Sequence, residues 1–179
     1  LKFDRARLDG LDQEIRESVP GDMMLTPDHV RGEYSSLREA IEKRGWPTLE
    51  RCCGKVFFAL DNTDGVKDRY LEDHESLKDR VMFVSVGPEH PAAGWMKIND
   101  PLDDFQRIQD CVRRGFIVRT RADYDTKQAR QNDTNQRDRA VESGAQFIST
   151  DFPIPDPRWT DYCVQWPDRA VYRLSLIHI

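Results

Sequence analysis

Apolar residues along the chain fall into short continuous runs separated by amphipathic stretches, the pattern of strands buried on both faces alternating with covering helices. The clearest run is Lys55-Val56-Phe57-Phe58-Ala59-Leu60-Asp61, of strand length and closed by an acid. Similar runs occupy residues 22–26, 81–86, 116–121 and 145–151. Between them the period changes from continuous to helical. Leu8, Leu11 and Ile15 mark an opening helix, and Ser36-Leu37-Arg38-Glu39 opens another with a Ser-x-x-Glu capping box that Gly45 and Pro47 end. A weaker helix is expected over 66–73. Leu102, Phe105, Ile108 and Val112 recur at helical spacing up to Gly115, and Asp125 or Thr126 caps a polar helix that runs through Ser143 to Gly144.

Five such strands joined by helices predict parallel pairing in chain order, because a parallel connection needs a crossover and the helix is its usual form. The fold class is α/β. No glycine-rich phosphate loop follows the first strand, which removes the main support for a nucleotide-binding doubly wound sheet. A TIM-like (β/α)8 barrel takes roughly 250 residues, and five parallel strands in about 150 residues is the rate at which a barrel uses chain. The sequence is therefore read as the C-terminal part of such a barrel, occupying residues 1–173. The last six residues, Leu174-Ser175-Leu176-Ile177-His178-Ile179, resemble a translated library adapter and are set apart from the fold.

Composition narrows the chemistry. The 179 residues carry 27 Lys plus Arg against 32 Asp plus Glu, a net charge of −5, and no basic run interleaved with aromatics, which argues against nucleic acid as the main ligand. No run approaches the roughly 18 apolar residues of a transmembrane segment. The four cysteines have no metal-ligand spacing, and Cys52 and Cys53 are adjacent; a Cys111–Cys163 bridge is compatible with the spacing but not implied by it.

In an α/β barrel the ligand lies outside the carboxyl ends of the strands, so the residues where each apolar run turns polar are the candidates. They are Asp61-Asn62, Ser85, Arg119-Thr120-Arg121 with Asp123, and Ser149-Thr150-Asp151. Arg119 and Arg121, two apart on a strand, share a face and suit bidentate contact with phosphate oxygens; Asp61 and Asp151 suit sugar hydroxyls or a hard cation. A salt-bridge layer closing the barrel mouth is the alternative for the same residues. His29, His74 and His90 sit in a helix entry and in loops, without a paired carboxylate or nucleophile. Trp46, Trp95, Trp159 and Trp166 read as packing residues.

Five blocks in order carry a resemblance: Thr26-Pro27-Asp28-His29-Val30-Arg31-Gly32, Gly45-Trp46-Pro47-Thr48-Leu49, Gly54-Lys55-Val56-Phe57-Phe58-Ala59-Leu60-Asp61-Asn62, Val118-Arg119-Thr120-Arg121-Ala122-Asp123, and Ser143-Gly144-Ala145-Gln146-Phe147-Ile148-Ser149-Thr150-Asp151. Together they resemble the bacterial-type, calcium-dependent phosphatidylinositol-specific phospholipases C, within a superfamily of barrel phosphodiesterases. The resemblance implies cleavage of the phosphodiester between glycerol and inositol at a membrane surface, Ca2+ as cofactor, and secretion. It implies that one histidine acts as general base on the inositol 2-hydroxyl and another as general acid, both on early strands that this sequence lacks. Carried onto this chain, Asp61 is the candidate Ca2+ ligand. Arg119, Arg121, Asp123, Thr150 and Asp151 are the candidate phosphate- or inositol-binding residues. Glycerophosphodiester phosphodiesterases share the barrel and a Thr-Asp at the last strand, and give the alternative enzyme. A barrel that has lost its chemistry and serves as a binding module is the alternative outside enzymes.

Overall fold

A computed structural model describes residues 3–165; Trp166, His178 and the six residues set apart at 174–179 lie outside the described residues. The chain divides into two compact units, Leu1–Met96 and Lys97–Ile179. Both are mixed α/β, with parallel strands.

The first unit opens with helix α1 (Arg5–Ser18), where the Asp4 carboxylate accepts the Arg7 N–H at 3.0 Å and so satisfies one of the donors a helix start leaves unpaired. Leu8 and Asp12 form its buried stripe. Helix α2 (Pro27–Arg31) packs on α3 (Leu37–Arg44). At α3 the capping box is displaced by one residue. Ser36 Oγ accepts the Glu39 N–H at 3.1 Å as the sequence predicts, but the Glu39 carboxylate reaches back to the N–H of Ser35 at 3.2 Å. With Lys43 Nζ 2.7 Å away, hydrogen bonds from Lys43 and Ser35 hold the Glu39 carboxyl down at about 2. Gly45 ends the helix at φ 81°, a conformation that favours glycine.

After a short α4 (Leu49–Cys52) come β1 (Phe58–Leu60), α5 (Gly65–Leu71) and β2 (Met82–Val84). β1 and β2 are parallel, with Phe58 opposite Met82 and Leu60 opposite Val84. Single parallel bridges extend the order on either side, Met24 to Val56 and Ser85 to Trp95. Phe83 forms the centre of the packing, fully buried with the Trp46 ring at 5.4 Å and the Phe57 ring at 5.6 Å.

Two expectations are corrected here. The run at 22–26 is not a full strand: Pro20 and Gly21 turn the chain into a 3-10 helix over Gly21–Met23, leaving Met24 as one bridging residue. A strand that the apolar pattern does not reveal, β3 (Trp95–Lys97), follows a loop rich in Gly and Pro. Gly94 comes before it and Lys97 ends it, so no continuous apolar run marks it as runs mark β1 and β2. Gly94 precedes it because a Cβ there would lie 2.9 Å from Leu37 Cδ2.

In the second unit Ile98 donates its N–H to the Arg119 carbonyl at 3.0 Å, and β4 (Ile117–Arg121) pairs in parallel with β5 (Phe147–Ser149), Arg119 opposite Phe147 and Arg121 opposite Ser149. Helices α6 (Phe105–Arg113) and α8 (Asn135–Glu142) pack on β4, with α7 (Lys127–Gln131) before α8. Leu102 falls outside α6 and is half exposed, because Asp100 Oδ1 accepts the N–H groups of Leu102 and Asp103 and fixes a turn ahead of the helix. The polar helix expected as one piece is broken in two by Asn132, which adopts a left-handed conformation at φ 52°. Cys111 and Cys163 are not bridged; both are thiols, and burial pushes that of Cys111 up.

Candidate functional site

In the second unit Arg121 closes β4 and Thr150 and Asp151 follow β5, at the carboxyl ends of the two strands, whereas Arg119, expected at the strand end, is the middle residue of β4 and lies opposite the first residue of β5. Burial alternates along β4: Val118 and Thr120 are fully buried, whereas Ile117, Arg119 and Arg121 are half-buried. The two arginines share the more open face, as period-2 geometry requires. Parallel register puts Phe147 and Ser149 beside them on β5. Phe147 is 46% exposed, so this face is not sealed by the core among the described residues.

Each guanidinium is held by a different contact. Arg119 Nη1 donates to Asn99 Oδ1 at 2.6 Å. The Arg121 guanidinium lies over the Tyr124 ring, 4.3 Å from its centroid, with Nη2 3.9 Å from Asp151 Oδ2. That ion pair is partly exposed and contributes little to stability, so an anionic ligand can replace the Asp151 carboxylate as acceptor for the Arg121 donors.

Asp123 differs from the other candidates. It is 1% exposed, and its carboxylate accepts the Thr150 hydroxyl at 2.5 Å, the Asp151 N–H at 2.9 Å and the Tyr162 hydroxyl at 3.2 Å. Burial, then the Asp123 charge and its hydrogen bond, push the Tyr162 phenol far above its ordinary value, so it remains a donor. Thr150 Oγ1 also accepts the Phe152 N–H at 2.9 Å, and Asp151 keeps an exposed carboxylate.

Asp61, in the first unit, directly follows β1 at its carboxyl end and is exposed. Among the described residues no group of three or more His, Cys, Asp and Glu is placed to hold a metal ion. Ca2+ takes six to eight oxygen ligands. The described residues alone do not make a calcium site, and Asp61 stands beside Asn62 without two further described His, Cys, Asp or Glu side chains placed to share an ion with it.

The described histidines are engaged locally. His29 Nδ1 accepts the Thr26 N–H at 3.2 Å and completes the cap of α2; His74 Nδ1 lies 2.7 Å from the Lys78 carbonyl; His90 Nδ1 accepts the Ala92 N–H at 3.1 Å, and burial lowers the pKa of its ring. Three residues that matter here carried no sequence signal of their own. Asn99 and Tyr124 lie in loops, and Tyr162 follows a proline-rich stretch without periodicity. Gln146 stands in one of the recognised blocks, but its task is visible only in three dimensions: its amide accepts the Val118 N–H at 2.8 Å and donates to the Phe116 carbonyl at 3.4 Å, extending the β4 ladder before β5 pairing begins.

Searches of curated proteins and of solved structures find no match to the chain. A family model described as "Phosphoinositide phospholipase C, Ca2+-dependent" matches residues 1–175. That span takes in Asp61, both β4 arginines and the Thr150-Asp151 pair. The chain belongs to the Ca2+-dependent phosphoinositide phospholipase C family.

Proposed function

We propose that the full-length protein is a bacterial-type phospholipase C that cleaves the glycerol–phosphate bond of phosphatidylinositol, and that this chain supplies the substrate-binding side of its barrel. The observation that carries the reading is the pair of guanidinium groups on one half-open strand face, beside an exposed carboxylate, in a chain whose family acts on phosphoinositides. Arg119 and Arg121 donate to the phosphate oxygens, where planar, preorganised donors favour the charge that builds up as the diester is attacked. The exposed Asp151 carboxylate accepts from the inositol hydroxyls, and Thr150, whose hydroxyl donates to Asp123 and accepts the Phe152 N–H, borders that position. Ca2+ is the cofactor that the family description names, and Asp61, at the end of β1, would be one of its ligands. The acid and base histidines are supplied by chain outside this sequence, a division supported by the local engagement of His29, His74 and His90. Parallel pairing in chain order within each unit supports the C-terminal part of a (β/α)8 barrel.

The test is release of inositol phosphate from phosphatidylinositol vesicles by the full-length protein. Release with calcium, falling to background on adding a chelator and absent for the 179-residue chain alone, is the expected result. Cleavage of glycerophosphodiesters with phosphatidylinositol spared would install the glycerophosphodiesterase reading instead. Binding of vesicles without release would point to a module that has lost its chemistry.

A further inference from the structure

We propose that Tyr162 and Asp123 are positioning residues for the strand-end site: a buried latch that sets the place of Asp151 opposite Arg121, without either residue touching substrate. The proposal rests on the reading of the β4 and β5 ends as the phosphate- and inositol-binding rim.

Three observations carry it. Asp123 is 1% exposed and its carboxylate accepts three hydrogen bonds, from Thr150 Oγ1, the Asp151 N–H and the Tyr162 hydroxyl. Burial rather than saturation keeps that carboxylate from a sugar hydroxyl, and breaking one of its three bonds to turn it outward would leave a buried donor unpaired, which is costly. Asp123 therefore acts on the site through the backbone of residues 150 and 151. The second observation is that Tyr162 is itself a fixed reference point. Its ring is 1% exposed and meets the Phe152 ring edge-on at 5.9 Å. Its own N–H donates to Thr160 Oγ1 at 3.2 Å, and Thr160 in turn donates to the Ala129 carbonyl at 2.6 Å. Arg137 Nη1 donates to the Cys163 carbonyl at 3.1 Å, and the Val164 N–H to the Phe152 carbonyl at 3.0 Å. The segment after β5 is thus tied down on both sides of the tyrosine. The third is that the Tyr162 hydroxyl has two acceptors in reach, Asp123 Oδ2 at 3.2 Å and the Ala122 carbonyl at 3.1 Å, both in the turn that leaves β4. One phenol joins the end of β4 to the end of β5 through a single carboxylate.

The consequence is local. Arg121 and Asp151 stand 3.9 Å apart across neighbouring strands, and that spacing depends on the backbone hydrogen bond from Asp151 to Asp123. Loosening the latch lets the Asp151 carboxylate wander while the core stays packed, because the Phe152 contact needs the ring and not the hydroxyl.

A double-mutant cycle in the full-length protein tests this. Tyr162→Phe keeps the ring and is expected to lower kcat/KM on phosphatidylinositol vesicles by about tenfold, as loss of one hydrogen bond to a charged group would allow. In an Asp151→Asn background the same change is expected to cost less than about twofold, since the carboxylate it positions is gone. An equal loss in both backgrounds would overturn the proposal and make Tyr162 a general stabiliser of the fold. Hydrogen exchange at the Asp151 amide separates the latch from the function it serves. Faster exchange in Tyr162→Phe is expected even if the protein proves inactive on phosphatidylinositol, and unchanged exchange would overturn the latch whatever the activity.

Discussion

Replacing Arg121 with lysine in the full-length protein is expected to lower kcat/KM on phosphatidylinositol by about 10²-fold, the cost typical of removing one preorganised donor from a transition-state anion. Charge is conserved in Arg121→Lys, so a purely coulombic role predicts a small effect. What is lost is the planar fork, whose geometry matches phosphate oxygens two at a time, together with the guanidinium stacking on Tyr124 at 4.3 Å. Steady-state kinetics on vesicles, with circular dichroism to confirm an unchanged fold, is the measurement. Unchanged kinetics would reassign Arg121 to a salt-bridge layer with Asp151.

The largest effect on stability is expected from Asp12→Ala, at about 3 kcal/mol or more, the range seen when one partner of a buried ion pair is removed. Arg80 is 3% exposed and relies on Asp12 Oδ2 at 3.4 Å and Asp9 Oδ1 at 2.5 Å for compensation. Asp12 also accepts the Tyr70 hydroxyl at 2.6 Å, and that oxygen accepts the Met82 N–H at 2.9 Å, at the first residue of β2. One carboxylate therefore stands behind α1, α5 and the start of a strand. Removing it leaves the guanidinium with the half-exposed Asp9 carboxylate in place of a buried one, whereas Asp12→Ala combined with Arg80→Met removes both buried charges and is expected to recover most of the loss. Urea midpoints for the single and double variants decide the matter, and a single variant within about 0.5 kcal/mol of wild type would show that Asp9 alone suffices.

What the sequence revealed and what it concealed divide along physical lines. Continuous apolar runs such as 55–61 and 116–121 were legible as strands from their length and their β-branched and aromatic residues, although the structure buries only β2 throughout and leaves β4 with a half-open face. The strand ends were legible at Asp61, Arg121 and Asp151, where apolar runs give way to charge, whereas Arg119 lies within β4 because its half-open face tolerates a guanidinium. β3 was hidden because, unlike the equally short β1 and β2, it does not sit in a longer apolar run but follows Gly94 and ends on the charge of Lys97, and the break at Asn132 by the ease with which one asparagine takes a left-handed conformation inside a helix-like stretch. The part played by Asp123 could not be read from the chain. A strand-end aspartate looks the same whether it faces solvent or is enclosed by Thr150, the Asp151 backbone and a tyrosine 39 residues away. Likewise, nothing local marks Gln146 as a stand-in for backbone pairing, because its partners, Phe116 and Val118, are about thirty residues earlier.

The central claim is that the carboxyl ends of β4 and β5 hold the phosphate and sugar of a phosphoinositide. The measurement that bears on it most directly is a titration of the full-length protein with inositol 1-phosphate in the presence of calcium, followed residue by residue through its backbone amide resonances. The account predicts saturable shifts concentrated at Arg119, Arg121, Ser149 and Asp151, and their disappearance in an Arg119→Ala, Arg121→Ala variant. Saturable shifts that leave these four residues unmoved, or that persist when both arginines are gone, would contradict it.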